Sequence, residues 1–254
     1  MAKHNCAICG AEIGLMSEQK LADGNFICRK VCSKKTFKLM DKVTATLGDV
    51  TAHIEQIEKG TKIFNEVLLP LLKTKKKEEK LKWLGVGNPR VCVSPSTGLV
   101  ALVETNYKVF IFGKYYRACI YRLADLVQYD YEEEVVSGSD GKKEKKEYCL
   151  MIFKETNGLH TFRLEMSNSK DYHDTAKYFD TLFGIQKTLG NSIKNAKRQL
   201  DAIKGAASIV KGAVDGDMDE KQAAEAVDAV GTYFMGDRTE WIAKADAALA
   251  PYKE

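Results

Sequence analysis

Short apolar runs separated by turn residues dominate residues 89–189 of the chain. Seven of these runs have the length and composition of strands: RVCVS, LVALVE, KVFIFG, YYRACIYR, DLVQYDYEEE, KEYCLMIFKE and LHTFRLEM. The separators, such as PSTG, TN, GK and TNG, are credible turns. In the segment that follows, apolar side chains recur at helical spacing at Tyr172, Ala176, Phe179 and Phe183. The pattern predicts seven antiparallel strands followed by one amphipathic helix.

Residues 36–83 show a helical pattern instead. One face of the predicted helix is apolar at Val50, Ile54 and Ile57. Gly60 is a candidate end of this helix. A further helical stretch contains Pro70, which we expect to kink or break it. The sequence GVGNPR then marks a boundary near residue 88.

The segment 190–254 is predicted to form a helical tail. Small apolar residues follow a heptad-like alternation over residues 193–214. We expect this helix to pack on its own chain, with a homodimer through the same helix, or contact with a membrane, as the alternatives. Asp217 with Glu220 and Asp237 with Glu240 are typical of helix caps. The short helices after them are predicted to turn Val227, Val230, Phe234, Trp241 and Ala245 inward.

Composition changes this picture little. The chain has 254 residues, of which 44% are hydrophobic and 29% charged, values that are ordinary for globular proteins. The net charge of +4 is too small to indicate a nucleic-acid-binding protein by itself. The first residues contain no apolar signal segment, and the longest apolar runs are too short to span a bilayer. We therefore expect a cytoplasmic protein with reduced thiols.

The candidate chemistry lies in NCAICGAEIGLMSEQKLADGNFICRKVC, which holds two cysteine pairs. Cys6 and Cys9 form C-x2-C, and Cys28 and Cys32 form C-x3-C. Zn²⁺ takes four thiolates in a tetrahedron, and a close pair supplies two of them from one tight turn. Gly10 suits such a turn because glycine adopts positive φ without strain. The sequence predicts one structural zinc ion held by these four cysteines.

Local structure around the pairs supports this interpretation. KLADGNFIC is typical of a hairpin that turns at Asp23-Gly24, and a helix is expected after Cys32. Such an arrangement resembles a treble-clef or zinc-ribbon module. The alternative is a set of buried free cysteines or a redox pair. Four cysteines fill a zinc site and leave no position for His4. The other cysteines, Cys92, Cys119 and Cys149, lie within predicted strands and are interpreted as buried apolar residues.

The stretch CAICGAEIGL resembles the start of uncharacterised bacterial proteins that carry an N-terminal C-x-x-C-G-x-x-I-G zinc-ribbon module. The matching residues are Cys6, Cys9, Gly10, Ile13, Gly14, Cys28 and Cys32. In those proteins the ribbon often precedes a pleckstrin-homology-like (PH-like) domain. The resemblance therefore implies a PH-like barrel in residues 89–189, where the strand pattern is similar to that of such domains. The family has no established activity.

These observations together predict an α+β protein in four parts. They are a four-cysteine zinc ribbon or treble clef (1–40), a helical connector (41–88), a seven-stranded PH-like antiparallel barrel with a C-terminal helix (89–189), and the helical tail (190–254). No nucleophile elbow, phosphate loop or HExxH motif occurs. We expect a non-enzymatic adaptor, although catalytic groups can converge from distant positions in an unrecognised hydrolase.

The expected partner of this adaptor is an unknown protein. The first barrel loop, SPSTG, has no basic residue, which favours recognition of a protein or peptide over a lipid headgroup. KTKKKEEKLK is interpreted as a solvated helix face. Binding of a membrane surface or of nucleic acid through this connector and the ribbon is the alternative function.

Overall fold

The computed structural model describes residues 4–38, 40–109, 112–137, 143–155, 158–183 and 238–253. The chain divides into two compact units. The first contains Met1–Lys73 and Ala101–Ile120, and the second contains Thr74–Val100 and Tyr121–Glu254. Both units are therefore discontinuous in sequence. The four-part division predicted above stays a prediction.

The first unit begins with two small antiparallel strand pairs. They are β1 (His4–Asn5) with β2 (Glu12–Ile13), and β3 (Glu18–Lys20) with β4 (Phe26–Cys28). The hairpin predicted around Asp23-Gly24 is confirmed, and Gly24 has a φ of 82° that few other residues tolerate. The helix expected after Cys32 is α1 (Cys32–Lys35), a single turn that begins at this cysteine.

A longer helix, α2 (Leu47–Ile63), follows in the same unit. It begins with a capping box, in which the side chains of Thr46 and Asp49 each bond to the other's backbone. The predicted apolar face is confirmed, with Val50, Ile54 and Ile57 buried. The predicted end at Gly60 is wrong, because α2 continues to Ile63 and Gly60 lies buried where the backbone of Ala118 approaches.

The chain beyond α2 changes its helical geometry before Pro70, as the sequence predicts. Phe64–Leu68 forms a π-helical turn, and Leu69–Lys73 forms a 3₁₀ turn. The helix predicted for residues 36–83 is wrong at both ends, since Thr36 is extended and Lys82–Leu84 forms strand β5. The physical reason is visible at β5, where Lys82, Trp83 and Leu84 pair antiparallel with residues 91–93 of the next strand, so their backbone groups bond across a sheet instead of within a helix.

Six longer strands follow among the described residues, where seven were predicted. They are β6 (Arg90–Ser94), β7 (Leu99–Val109), β8 (Phe112–Arg122), β9 (Leu126–Ser137), β10 (Lys143–Glu155) and β11 (Gly158–Met166). The separators TN and GK are not turns, because Thr105–Asn106 lies within β7 and Gly113–Lys114 within β8. Neither separator contains proline, and both dipeptides are paired within strands, with Gly113 at a φ of 86°. The division between the two units passes through β7 and β8.

These strands form open sheets among the described residues, so the expected closed barrel is not observed. One sheet has the order β11–β10–β9 and is antiparallel throughout. The other has its strands in chain order, β5–β6–β7–β8. A 3₁₀ turn at Leu123–Asp125 separates β8 from β9, and Leu123 is fully buried there. The chain thus leaves one sheet and enters the other at this turn.

Two α-helices lie in the described residues of the second unit. The predicted amphipathic helix is confirmed as α3 (Ser169–Leu182), and its buried Phe179 packs against Tyr129 with ring centroids 5.2 Å apart. The last helix is α4 (Thr239–Leu249). Ala245 of α4 is fully buried, as predicted, whereas Trp241 is only partly buried. The heptad-like segment 193–214, the caps involving Asp217 and Asp237, and residues 227–234 lie outside the described residues.

Candidate metal centre

The first cysteine pair lies in a tight loop between β1 and β2. The carbonyl oxygen of Cys6 accepts a hydrogen bond from Gly10 N at 2.8 Å, and Cys6 N donates to Ala11 O at the same distance. Gly10 has a φ of 73°, as its place in the motif predicts. These bonds fold residues 6–11 into a loop that directs two cysteine side chains to one point.

The second pair comes from the end of a hairpin and the start of a helix. Cys28 is the last residue of β4, and Cys32 is the first residue of α1. Ala7 N donates to Phe26 O at 2.9 Å, which attaches the first loop to the hairpin. The fold thereby brings together two pairs that are well separated in sequence.

The four predicted cysteines form one cluster. The sulfur atoms of Cys6, Cys9, Cys28 and Cys32 all lie within 4.8 Å of one another. The sulfurs of Cys9 and Cys28 are 3.8 Å apart. Four sulfurs bound to Zn²⁺ at about 2.3 Å form a tetrahedron with edges of about 3.8 Å. The cluster therefore has dimensions that fit a tetrahedral metal ion.

The cluster is part of the hydrophobic core of the first unit. Cys6, Cys28 and Cys32 are buried, whereas Cys9 is exposed. The surrounding buried side chains are Ile13, Leu21, Ile27, Ala45, Val50 and Ile54. Val50 and Ile54 belong to α2, so this helix contributes to the wall of the cysteine site. A metal ion bound here would link three short elements that have little core of their own.

Backbone amides donate hydrogen bonds to two of the cysteine sulfurs. Cys28 N donates to the sulfur of Cys6 at 3.3 Å, and Cys32 N donates to the sulfur of Cys28 at 3.2 Å. Burial alone would raise the pKa of Cys6, but the amides of Cys9, Cys28 and Ile8 outweigh it and lower this pKa to about 6. Burial and the neighbouring sulfurs raise the pKa of Cys32. The amides around Cys6 therefore favour its thiolate form, and a divalent cation would compensate the negative charge of bound thiolates.

His4 lies outside the cluster. Its Nδ1 is 2.7 Å from Oε2 of Glu18, and its ring stacks on Phe26 with centroids 3.9 Å apart. These contacts agree with its exclusion as a ligand. Cys92, Cys119 and Cys149 are buried in strands away from the group of four, as the sequence predicts.

Two charged residues that the sequence did not single out support the helix that carries Cys32. Nη1 of Arg117 donates to Lys34 O at 3.0 Å and to Oε2 of Glu104 at 3.1 Å, and Nη2 donates to Lys35 O. Oε1 of Glu104 accepts a hydrogen bond from Lys38 N at 3.3 Å. These bonds join the C-terminal end of α1 to β7 and β8. No sequence motif marks them, because their partners lie far away along the chain.

The described residues contain no helix long and apolar enough to cross a bilayer.

Comparison with known proteins gives one partial match. Residues 4–53 match the family model described as "Domain of unknown function (DUF4428)". A search of curated proteins and a search of solved structures gave no match. The matched range covers the cysteine cluster and the first part of α2, where Val50 packs against the cluster. The chain therefore carries a DUF4428 domain at residues 4–53, with a four-cysteine cluster that could hold a metal ion.

Proposed function

We propose that the N-terminal domain binds one structural Zn²⁺ ion through Cys6, Cys9, Cys28 and Cys32. The observation that carries the proposal is the mutual approach of the four sulfurs within 4.8 Å. Sulfur ligands in a tetrahedral set select zinc or iron among the common metals. We favour zinc over iron because a structural ion without redox chemistry is enough to account for a cysteine cluster in a hydrophobic core.

The role proposed for the ion is structural. A catalytic zinc keeps one position open for water or substrate, whereas four cysteines complete the coordination sphere. Three of the four cysteines are also buried. Binding would therefore stabilise the loop at residues 6–11, the β3–β4 hairpin and α1 against one another.

The test is the metal content of the full chain purified without added metal. We expect about one zinc per chain and little iron. Cys28→Ser should reduce the zinc content strongly, while Cys149→Ala, which changes a buried cysteine outside the cluster, should leave it unchanged. A wild-type content near zero, or equal contents in wild type and Cys28→Ser, would contradict the proposal. Stoichiometric iron together with a visible thiolate absorption band would show that the site binds iron instead of zinc.

For the whole chain we infer a non-enzymatic adaptor of the reducing cytoplasm that recognises a protein or peptide through the PH-like domain predicted at residues 89–189. None of the seven cysteines forms a disulfide, which supports a reducing compartment. Strand β9 supports the recognition role. It is twelve residues long and has a strand neighbour on one side only in its described sheet. A long strand edge of this kind can accept an extended peptide as an additional strand.

The adaptor role is tested by purifying the full chain from its native cells and measuring direct binding of each recovered protein. Val135 of β9 is 61% exposed, so Val135→Lys changes the edge strand without removing core. We expect a partner that binds the wild type directly and binds Val135→Lys more weakly. If a recovered protein binds both equally, the site is not at this edge, and if no protein binds directly, the adaptor role is wrong.

A further inference from the structure

The turn between β2 and β3 holds two large apolar side chains in solvent. Leu15 is 70% exposed and Met16 is 89% exposed. They occupy the centre of a turn closed by a hydrogen bond of 2.7 Å from Ser17 N to Gly14 O. Gly14 N also donates to Oγ of Ser17 at 3.0 Å. The turn is therefore internally bonded, and its apolar side chains do not cover the core of their own domain.

A second exposed segment lies beside this turn. Arg29 N donates to Ser17 O at 2.9 Å, which places the chain after β4 next to the turn. Val31 is 56% exposed, and Arg29 and Lys30 are also exposed. Together, Leu15, Met16, Arg29, Lys30 and Val31 form a surface, here called the turn surface, that combines apolar and cationic side chains.

The chain that follows β4 and contributes Arg29, Lys30 and Val31 carries charge of one sign, while Glu12 and Glu18 flank the turn itself. Residues 24–40 contain no aspartate or glutamate. The five basic residues in this range, Arg29, Lys30, Lys34, Lys35 and Lys38, are all exposed. The backbone carbonyls of Lys34 and Lys35 bond to Arg117, while their ammonium groups remain available to solvent.

We propose that the turn surface binds the surface of an anionic phospholipid bilayer. Exposed large apolar side chains beside lysine and arginine are what interfacial binding requires, because the apolar groups enter the headgroup region and the cations approach anionic lipids. A turn tip offers no groove for a peptide helix or strand. Leucine and methionine also lack the aromatic faces on which nucleic-acid bases stack. The combination favours lipid over an acidic peptide or nucleic acid.

This function goes beyond the structural metal and does not depend on which metal occupies the cysteine cluster. It requires only that the N-terminal domain is folded. Metal content and thermal unfolding of each variant therefore separate loss of the fold from loss of membrane binding.

The experiment is co-sedimentation of the full chain with phosphatidylcholine vesicles that contain or lack phosphatidylserine, at low and at physiological ionic strength. We expect binding to the phosphatidylserine vesicles that weakens with salt. Leu15→Ser combined with Met16→Ser should reduce the partition coefficient by at least about tenfold. Arg29→Ser combined with Lys30→Ser should reduce it by a similar factor and lower its salt dependence. Val135→Ser, which changes an exposed valine on an acidic strand, should bind as the wild type does.

A gain-of-function variant keeps the test independent of loss of folding. Met16→Trp places a residue that prefers the bilayer interface at the tip of the turn. It should bind more tightly than the wild type, and its emission should shift to shorter wavelength when phosphatidylserine vesicles are added.

The proposal is wrong if the wild type fails to bind phosphatidylserine vesicles at low salt while its domain is folded. It is also wrong if the Leu15/Met16 double variant binds them as the wild type does. Binding of duplex DNA or of an acidic peptide that needs Arg29 and Lys30 but not Leu15 and Met16, without vesicle binding, would assign the surface to that partner instead.

Discussion

The guanidinium of Arg117 forms an ion pair of 3.1 Å with the carboxylate of Glu104, and their side chains are only 21% and 6% exposed. The same guanidinium bonds to the carbonyl groups at the end of α1, the helix that begins with Cys32. Since the pair is mostly buried, each charge is compensated mainly by the other, with Lys42 close enough to act on both. The pair therefore holds the C-terminal end of α1 by hydrogen bonds. Removal of either charge is expected to lower the stability of the fold.

Arg117→Ala should destabilise the protein by about 3 kcal/mol, because it leaves the buried carboxylate of Glu104 without its partner. Arg117→Met combined with Glu104→Met should recover part of this loss, since no buried charge remains. Chemical denaturation of both variants and of the wild type measures the effect. A single variant as stable as the wild type would show that the pair contributes nothing in solution.

Gly60 gives a second prediction. A Cβ atom at this position would approach the carbonyl group of Ala118 closely and would lie 3.1 Å from Cα of Cys119. Gly60→Ala should therefore destabilise the protein by about 1–3 kcal/mol, although alanine is the better helix former.

The matched control for Gly60 lies in the same helix. A Cβ atom at Gly48 would meet only Oγ1 of Thr46, at an ordinary 3.6 Å. Gly48→Ala should be neutral or stabilise by up to about 1 kcal/mol. If both variants shift the unfolding midpoint in the same direction and by the same amount, the close approach at Gly60 is not the cause.

Tyr178 gives a prediction about pH. Its hydroxyl oxygen is buried and has no hydrogen-bond partner among the described residues, and burial raises the pKa of Tyr178 to about 12, with a smaller effect from nearby Cys92. An unfolded tyrosine ionises near pH 10, as in model peptides. The folded protein thus favours the neutral phenol. This contribution to stability is complete below about pH 10 and is lost as the pH rises from about 10 to about 12.

Tyr178→Phe should remove this pH dependence and an uncompensated polar group together. We expect stability equal to the wild type or up to about 1 kcal/mol higher at neutral pH, and a smaller loss between about pH 10 and pH 12. Thermal unfolding across this range measures both effects. Tyr129→Phe is the comparison, because Tyr129 donates to Asp180 and its loss should destabilise by about 1 kcal/mol. Marked destabilisation by Tyr178→Phe at neutral pH would reveal a bonded hydroxyl.

Metal removal should have a local signature. The amides of Cys28 and Cys32 donate to cysteine sulfurs, so a chelator that extracts the ion should increase their hydrogen exchange. Amides of β10, which is hydrogen-bonded on both sides, serve as the internal reference. Unchanged exchange at Cys28 and Cys32 after complete metal loss would show that the metal does not stabilise this domain.

The sequence predicts the cysteine cluster well because each part of the cluster is built from residues that are close in sequence. Two close pairs, a glycine with positive φ and a hairpin turn each depend on a few neighbouring residues. Strand boundaries were harder, since Thr105–Asn106 and Gly113–Lys114 resemble turns but lie within strands. Whether such a dipeptide turns or extends depends on the strands paired with it, which the local sequence does not specify.

Non-local contacts could not be predicted at all. Glycine is common at helix ends, so Gly60 looks like the end of α2 in the sequence. The approach of the Ala118 backbone explains why this glycine lies inside the helix. Glu104 and Arg117 look like ordinary surface residues of strands until the chain after Cys32 is placed beside them. The exposed Leu15 and Met16 also pass unnoticed in a sequence, because an apolar residue in a turn is normally assumed to be covered.

The bonds from Arg117 to the carbonyl groups of Lys34 and Lys35 join positions 83 and 82 residues apart. During synthesis the cysteine pairs emerge long before β8. Until Arg117 is made, α1 therefore lacks the hydrogen bonds that hold its C-terminal end. The nascent N-terminal domain would therefore spend this interval with the docking side of α1 uncovered. Early metal binding would join α1 to the cysteine loops before β8 is available, so the exposed segment would be ordered when the strand arrives.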